Sequence, residues 1–316
     1  MRRYLIHRLV QLPITLLLVC VIAFTVIRLL PGDPAMAWLG ESFAGDEESY
    51  RAARAELGLD QPWPVQFAHW LAHIAQGDMG ISARIHLPVG QVILQRIPIT
   101  LELTLLGMLI AAIIGVPAAV ISAVRPNSMW DRVATVGAIA GMAIPDFWLG
   151  LLLIYLLGVA LKWLPPSGFT SLTGDPGGNL KLMIMPAVTI GLGRAATVMR
   201  QTRGALLDVL GSAYVRTARA KGLMEVAVIW RHAFPNALLP VVTVIGLQIG
   251  RLVGAAVMVE TIFAIPGLGR WAINSILFRD YSALQGVIMV FALWVLLINL
   301  LTDLLYAYLD PRIRLE

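Results

Sequence analysis

The chain has 316 residues, of which 58% are hydrophobic and only 14% are charged. About a quarter of the residues of an ordinary soluble domain are charged, so this composition excludes a soluble globular protein and indicates an integral membrane protein. The net charge of +5 does not require nucleic acid as a partner, because arginines commonly anchor the cytoplasmic ends of membrane helices.

Six apolar stretches are long enough to cross a bilayer, which takes about 20 residues in a helix. The first follows a basic N-terminus, as the core of a signal peptide would. Its length and the lack of a small-x-small cleavage site favour an uncleaved membrane anchor. The predicted spans are 9–30, 99–122, 133–161, 183–203, 237–259 and 286–309.

The density of lysine and arginine predicts the orientation, because loops that remain in the cytoplasm carry more of both. The 67 residues 31–97 contain four of them, whereas the 39 residues 198–236 contain six. The N-terminus is also basic, and two arginines follow the last span. We therefore predict six spans with both termini in the cytoplasm, an extracytoplasmic loop at 31–98 and a cytoplasmic loop at 204–236.

The extracytoplasmic loop is predicted to contain two short helices. Residues 47–57 have helical composition, residues 62–76 carry an apolar stripe at helical spacing, and a glycine follows each segment. His69 and His73 stand four residues apart, so they could share a metal ion or could be two polar positions of an amphipathic helix. No third ligand stands at a set spacing nearby, which favours the second interpretation.

The motifs of nucleotide binding and of common hydrolases are absent from the sequence. A phosphate-binding loop needs Gly-x-x-x-x-Gly-Lys-Ser/Thr, and none of the lysines Lys162, Lys181 and Lys221 precedes serine or threonine. The chain has no His-Glu-x-x-His helix and no Gly-x-Ser-x-Gly elbow. Its single cysteine, Cys20, excludes an intrachain disulfide. We expect no enzyme activity, no cofactor and no metal site in this chain.

A short basic segment in the cytoplasmic loop has the pattern of an isolated surface helix. Ser212 suits an N-cap, residues 214–221 are compatible with a helix, and Gly222 suits the left-handed residue that ends one. The alanines of the segment would let another protein approach its backbone closely. The residues alone leave two interpretations open: a helix gripped by a partner protein, or a basic loop held at the lipid headgroups.

Two charged residues fall near the middle of predicted spans, where a charge costs roughly 2.5–3.5 kcal/mol on insertion scales. Arg194 lies eleven residues into the fourth span, and Asp146 follows Pro145 in the third. Their similar depths would allow an ion pair, either as a structural element or as part of the lining of a transport path. Pro145 cannot donate an intrahelical hydrogen bond, so a bend is expected there.

The segment Pro266-Gly267-Leu268-Gly269 lies outside the fifth span. A proline beside two glycines predicts a tight loop that allows close approach of another chain. Two interpretations remain open for it: a gate or docking point, and a plain turn.

The cytoplasmic segment resembles the coupling segment of the membrane subunits of ABC importers. That family pattern is Glu-Ala-Ala, three residues, Gly, nine residues and Ile-x-Leu-Pro, and here Gly222 and Pro235 stand thirteen residues apart, as it requires. The sequence departs from the pattern at Arg216-Thr217-Ala218, which replaces the first triplet, and at His232-Ala233-Phe234, which replaces Ile-x-Leu. The version Tyr-Val-Arg-Thr-Ala-Arg-Ala-Lys-Gly-Leu at 214–223 is similar to that of the dipeptide and oligopeptide branch.

Four further segments resemble the same branch and run from near one end of the chain to near the other. Together they are specific for the branch and poorly specific for its cargo. They are Leu-Pro-Gly-Asp-Pro at 30–34, Arg-Ile-Pro-Ile-Thr-Leu-Glu-Leu at 96–103, Val-Glu-Thr-Ile-Phe with Ile-Pro-Gly-Leu-Gly at 259–269, and Asp-Leu-Leu-Tyr-Ala with Asp-Pro-Arg at 303–312.

The resemblance implies an all-α membrane protein of six transmembrane helices with the type I permease fold of ABC importers, a single domain over 1–316. As in the family, the chain would lie in the bacterial cytoplasmic membrane and pair with a second permease. Two ATPase subunits would hold ATP and Mg²⁺, and an extracytoplasmic binding protein would deliver the cargo. The expected cargo is a di- or oligopeptide. The alternatives are a nickel chelate, glutathione or an oligosaccharide, or an ion-driven secondary transporter.

The resemblance also implies roles for particular residues. Within the loop 212–235, the residues expected to couple to the ATPases are Tyr214, Arg216, Thr217, Ala218, Arg219, Ala220, Lys221, Gly222 and Pro235. The residues expected to belong to a translocation path or gate are Pro145, Asp146, Arg194, Glu260, Pro266, Gly267 and Gly269.

Overall fold

The structure is a computed structural model that describes residues 2–29, 33–39, 46–56 and 58–309. Within these residues the protein is helical, as predicted, and its only extended pairing is an isolated bridge between Ile81 and Pro88. The helices α1 to α13 are Arg2–Leu29, Pro34–Leu39, Glu47–Glu56, Trp63–Ala75, Val89–Val124, Met129–Ala143, Asp146–Leu153, Pro176–Leu210, Ala213–Ala220, Glu225–Ala227, Phe234–Ile262, Leu268–Leu277 and Tyr281–Leu309. Two π-helical segments, Ile154–Ala160 and Val228–Ala233, follow α7 and α10.

Each of the six predicted spans falls on helical segments, but the helices differ in length and straightness. Helices α5, α8 and α13 are each long and apolar enough to cross a membrane alone. Two bent pairs pass the same test together, Met129–Ala143 with Asp146–Ala160 and Glu225–Ala237 with Val241–Gly250. Within α1, residues Gln11–Thr25 form a further apolar helical stretch. The described residues thus hold three spanning helices, or up to five if each bent pair is one span, and six spans stay a prediction.

The bend expected at Pro145 is present, and it is sharper than a kink. The two halves of the apolar stretch meet at 97°. Pro145 is the N-cap of α7, and both it and the preceding Ile144 are extended, with ψ of 136° and 120°. The proline ring disfavours helical backbone in the residue before it and removes a donor. The stretch predicted as one span at 133–161 is therefore a broken or re-entrant pair of helices.

Both short helices predicted between the first two spans are confirmed. They are α3 and α4, while Leu57, at the predicted end of the first, lies outside the described residues. Gly58 and Gly77 follow them in left-handed conformations, with φ of 63° and 84°. Helix α5 begins at Val89, ten residues before the predicted start of the second span.

One compact unit comprises Arg2–Thr100 and Pro266–Leu296. The core of this unit explains why α5 begins earlier than the sequence predicted. Full burial of an aliphatic side chain stabilises the fold by about 1.5–3 kcal/mol, which outweighs a weak helical pattern in the local sequence. The cluster joins α5 to α12 and α13 and consists of Val89, Val92, Ile93, Leu268, Trp271, Ala272, Ala283 and Val287.

The other unit runs over Leu101–Ile265 and the described residues from 297 onward. In it α5 and α8 approach so closely that a Cβ atom on Gly191 would lie 2.8 Å from the carbonyl oxygen of Gly107. Such contacts through small residues are typical of packed membrane helices. Alanines continue the seam, since Ala119 of α5 packs with Ala138 of α6 and Ala196 of α8. Helix α8 lies at the centre of this unit and leads into the basic segment.

Candidate coupling surface and intramembrane ion pairs

Helix α9 is fixed to its own chain by one apolar face. Val215 is completely buried and Ala218 nearly so, in a cluster with Val228. Val209 and Leu210 of α8 pack against this cluster. Ala218, predicted to couple to a partner, therefore faces the protein interior. The other predicted coupling residues of the helix and its end are exposed: Tyr214, Arg216, Thr217, Arg219, Ala220, Lys221 and Gly222.

The two ends of α9 have the expected conformations. Ser212 is the N-cap residue, with extended backbone, and its hydroxyl donates to the carbonyl oxygen of Val209 at 2.6 Å rather than capping α9. At the other end Gly222 has φ of 79°, and its N–H donates to the carbonyl oxygen of Arg219 at 2.9 Å. The left-handed ending predicted for Gly222 is confirmed. It turns the chain sharply away from the helix and leaves the backbone of Gly222 accessible.

The cations of α9 differ in their surroundings. Arg219 donates to both carboxylate oxygens of Glu225, with Nε–Oε2 of 3.0 Å and Nη2–Oε1 of 2.6 Å. The hydrogen bonds to Glu225 raise the pKa of Arg219 above its usual range because they favour the charged form. Arg216 and Lys221 have no ion-pair partner within the described part of the chain. Arg219 thus holds the turn after α9 together, while Arg216 and Lys221 remain available to a partner.

Five large apolar side chains within or just after the helix are exposed, which sequence reasoning missed. The exposed fraction of Met224 reaches 77%. Their signal in the sequence was a run of apolar residues too short for a span. The set consists of Tyr214, Leu223, Met224, Val226 and Trp230.

A hydrogen bond links α9 to the π-helical segment that precedes the next long helix. The Tyr214 hydroxyl donates to the carbonyl oxygen of His232 at 3.4 Å, and the Asn236 side chain donates to the same oxygen at 2.7 Å. Pro235 lacks a backbone N–H, and in a regular α-helix its ring would clash with the carbonyl group one turn earlier. The π-helical segment before α11 has a wider turn, which relieves that clash. Tyr214 of α9 and Asn236 of α11 thus share one acceptor on this segment.

The ion pair that the sequence allowed between Arg194 and Asp146 is present. Arg194 Nη2 lies 3.6 Å from Asp146 Oδ2, and both side chains are about three-quarters buried. The distance is too long for a hydrogen bond, and Arg194 Nε is buried without a partner among the described residues. Asp146 stands in the first turn of α7, where the break at Pro145 places it against α8. The pair fits both a structural role and a position on a path.

Replacing Arg194 by leucine is expected to lower the yield of folded protein more than replacing both Arg194 and Asp146 by leucine. The single variant leaves a carboxylate unpaired in a low-dielectric region, whereas the double variant leaves no charge. Size-exclusion chromatography of detergent-solubilised protein measures the folded fraction. If the losses of folded yield caused by the two substitutions simply add, the two side chains are not coupled.

Comparison with protein families identifies the kind of protein to which α9 belongs. A family model described as binding-protein-dependent transport system inner membrane component matches residues 115–315, and its N-terminal counterpart matches residues 1–104. The chain belongs to this family. It is a permease component of an ABC importer, and such components work with a substrate-binding protein and ATPase subunits.

Related permeases are similar over their whole length. Across 99% of both chains, this permease is 39% identical to the dipeptide transport system permease protein DppB of Escherichia coli K12. At the same coverage it is 41% identical to a putative peptide permease protein of Brucella suis biovar 1 (strain 1330). It is also 42% identical to the glutathione transport system permease protein GsiC of Escherichia coli O6:H1, again over 99% of both.

Solved structures show the same fold at low sequence identity. The methionine ABC transporter MetNI, in an inward-facing conformation, aligns with a TM-score of 0.59 and 19% identity over 70% of this permease and 97% of that chain. An amino acid ABC transporter aligns with a TM-score of 0.53 and 16% identity over 69% and 94%. The predicted ABC importer permease fold is confirmed.

The segment 266–269 corrects the prediction of a loop in this permease. Gly267 is the N-cap of α12, so Leu268 and the buried Gly269 belong to a helix. Arg96 Nη1 donates to the carbonyl oxygens of Pro266 and Gly267 at 3.1 and 3.4 Å. These two hydrogen bonds form a clamp on the backbone of the segment. Because Arg96 is far away in the sequence, the turn residues of the segment alone could not predict it.

The hydroxyl of Thr100, one turn further along α5, accepts from the backbone N–H of Leu268 at 2.9 Å and completes that clamp. Glu260, the remaining residue predicted for a path, is completely buried at the end of α11. A role of Glu260 and of residues 266–269 in a path or gate stays a prediction.

A second ion pair joins three membrane helices of the permease and was not predicted. Arg203 of α8 donates to Asp131 of α6 through Nε–Oδ1 and Nη2–Oδ2, both at 2.9 Å. The Arg203 Nε–H also reaches the Ser122 hydroxyl of α5 at 2.8 Å, and Ser122 donates to Asp131. The backbone N–H of Asn127 also donates to Asp131, at 2.8 Å, and the Thr135 hydroxyl does so at 3.4 Å. This network locks the α5–α6 turn onto α8, about two turns before that helix ends and leads into α9.

One of the two histidines of α4 lies beside a carboxylate. His73 Nδ1 lies 3.2 Å from Asp78 Oδ2, and no group of three potential ligands occurs among the described residues. The interpretation of His69 and His73 as polar positions of an amphipathic helix stays a prediction.

Proposed function

We propose that this chain is one of two homologous permease subunits of an ATP-driven importer that moves di- or oligopeptides across the bacterial cytoplasmic membrane. The observation that carries the proposal is α9, a helix anchored by Val215 and Ala218 that exposes free cations and ends at a left-handed Gly222. Relatives named as dipeptide and peptide permeases, similar over their whole length, support the choice of cargo.

The proposed mechanism assigns the chemistry to partner subunits. Two ATPases would hold ATP and Mg²⁺ and grip α9 of each permease, and an extracytoplasmic binding protein would deliver the peptide to a path between the permeases. ATP then favours one arrangement of the pair because it binds that arrangement better. The contact from Tyr214 to the π-helical segment before α11 would carry this bias into the membrane.

The decisive experiment is uptake of radiolabelled dipeptide into proteoliposomes that contain the permease, its partner permease, both ATPases and the binding protein. ATP-dependent accumulation supports the proposal. Accumulation without the ATPases, driven by an ion gradient, would indicate a secondary transporter instead. Glutathione is the second cargo to test because a glutathione permease is among the similar proteins. Nickel chelates and oligosaccharides complete the panel.

The proposed topology has six spans, both termini in the cytoplasm and residues 31–98 outside. In a Cys20→Ala background, cysteines introduced at the exposed positions Glu48 and Met224 should react with a membrane-impermeant maleimide from opposite sides. In intact spheroplasts only the Glu48→Cys variant should be labelled, and in inverted vesicles only the Met224→Cys variant. Labelling of both from one side would contradict the topology.

Reversal of Arg219 alone (Arg219→Glu) should weaken attachment of the ATPases several-fold, and the added Glu225→Arg should restore most of it. The single change places two carboxylates where the Arg219–Glu225 pair stood, whereas the exchange rebuilds the pair in reverse. Co-purification of ATPase subunits measures attachment. Arg216→Glu is the matched control, since Arg216 has no partner among the described residues and Glu225→Arg should not rescue it. Lack of rescue for Arg219→Glu would mean that Arg219 itself contacts the ATPase.

A further inference from the structure

The unit formed by Arg2–Thr100 and Pro266–Leu296 contains a cavity of about 410 Å³ that the proposed coupling mechanism does not use. Helices α1, α4 and α13 all contribute to its lining. Cavities of this size accommodate small organic ligands. Trp70 and Met79 provide apolar surface, and the remaining lining includes a cation and several hydrogen-bonding groups.

The cation is Arg28, in the last turn of α1, and its position is fixed by a neutral side chain. Its Nε and Nη2 donate to Gln66 Oε1 at 3.1 and 2.6 Å, and its guanidinium carbon lies 3.5 Å from the centre of the Phe24 ring. Gln66 is only 8% exposed, and its side-chain nitrogen donates to the carbonyl oxygens of Leu59 and Gln61. The amide thus orients the guanidinium without neutralising it.

No carboxylate among the described residues forms an ion pair with Arg28. A partly buried charge without a counter-ion is costly, so a cavity that holds one suits an anionic ligand. A guanidinium donates in a fork that matches the two oxygens of a carboxylate. Arg28 therefore defines the end of the cavity where an oxyanion would bind.

Uncharged polar groups also line this cavity. The Tyr281 hydroxyl is buried without a hydrogen bond among the described residues, and the Gln285 side chain, in a residue that is 8% exposed, lies in the same lining. Asp78 adds an exposed carboxylate, which accepts from the backbone N–H of Gly80 at 2.9 Å and lies 3.2 Å from His73 Nδ1. A ligand that matches this lining carries an anion for Arg28 and amide-like donors and acceptors, and a cationic group on it would suit Asp78.

We propose that this cavity binds the cargo peptide itself, with Arg28 holding its C-terminal carboxylate. The inference rests on the proposed function and deepens it, since it gives the permease its own peptide site in addition to that of the binding protein. The peptide bond would serve Tyr281 and Gln285, and the terminal ammonium would suit Asp78. A phospholipid headgroup offers an oxyanion but no amide groups for this lining.

The test uses the assembled importer in nanodiscs, without binding protein, and the photoreactive dipeptide alanyl-p-benzoylphenylalanine in tritiated form. Irradiation should label peptides from α4 or from the start of α13. Unlabelled alanyl-phenylalanine should compete at least about tenfold better than its C-terminal amide, the ratio expected for one charge-assisted contact. This comparison is made on the wild type, so it does not depend on how any variant folds.

Arg28→Gln should reduce labelling about tenfold, and Arg28→Lys should retain part of it. Arg51→Gln is the matched control, because Arg51 pairs with Glu47 on the exposed surface of α3 and should not matter. Equal competition by the acid and the amide would overturn the inference, as would displacement of the probe by phosphatidylglycerol but not by phosphatidylcholine. Dipeptide uptake in proteoliposomes separates the two proposals: uptake without labelling rejects the cavity alone, and labelling without uptake rejects import alone.

Discussion

Replacement of Gly222 by valine is expected to reduce coupled transport at least about tenfold while the permease still inserts and pairs with its partner permease. The backbone of Gly222 is left-handed, with φ of 79°, and a side chain there costs roughly 1–2 kcal/mol, most for a β-branched residue. Nothing lies within 4 Å of the position that its Cβ would take. The fold of this chain therefore has room for valine. The substitution should strain the turn after α9 and obstruct a protein that approaches this turn.

Cargo-stimulated ATPase activity and peptide uptake of reconstituted complexes measure the effect, and a loss of at least about tenfold is expected for uptake, since 1.4 kcal/mol corresponds to a factor of ten. Gly77→Val is the matched control for insertion and for attachment of the ATPases, because Gly77 has φ of 84° and equally open surroundings among the described residues but follows α4. Gly222→Asn separates the two causes, as asparagine tolerates left-handed backbone yet still adds a side chain. Uptake by Gly222→Val at the wild-type level would show that α9 is only a basic anchor at the headgroups.

The sequence was sufficient wherever a feature depends on neighbouring residues. Gly222 had to end α9 because a left-handed residue favours glycine, and the break at Pro145 follows from a missing donor and a crowded ring. The apolar stripe of α4 predicted that helix to within one residue at each end. These signals are local, so tertiary packing did not override them.

The features that were missed depend on residues far apart in the chain. Arg203 and Asp131 are separated by 72 positions, and the sequence showed each only as a charge beside a span. The segment 266–269 has turn residues, yet Arg96 and Thr100 hold its backbone and α12 starts within it. The cavity around Arg28 is built from segments that no spacing rule connects. Long-range partners of this kind cannot be inferred from one sequence.

The Arg203 network should contribute more to stability than the pair of Arg194 and Asp146. Arg203 makes two hydrogen bonds of 2.9 Å to a carboxylate that is 5% exposed, whereas Arg194 approaches Asp146 only to 3.6 Å. Arg203→Met leaves Asp131 buried with its charge and with fewer donors, which is more destabilising than having no charge at all. We expect the melting temperature of the solubilised permease to fall by about 5 °C or more.

Addition of Asp131→Asn to Arg203→Met should recover much of that loss. Asparagine can keep its oxygen for the N–H of Asn127 and turn its NH2 group towards the Ser122 hydroxyl oxygen, which can accept, and it removes the unpaired charge. Arg200→Met, an exposed arginine on the same helix, is the control and should leave the melting temperature within about 1 °C. If Arg203→Met melted like Arg200→Met, the network would not hold α5, α6 and α8 together. A double variant less stable than the single one would show that Asp131 stabilises the α5–α6 turn independently of Arg203.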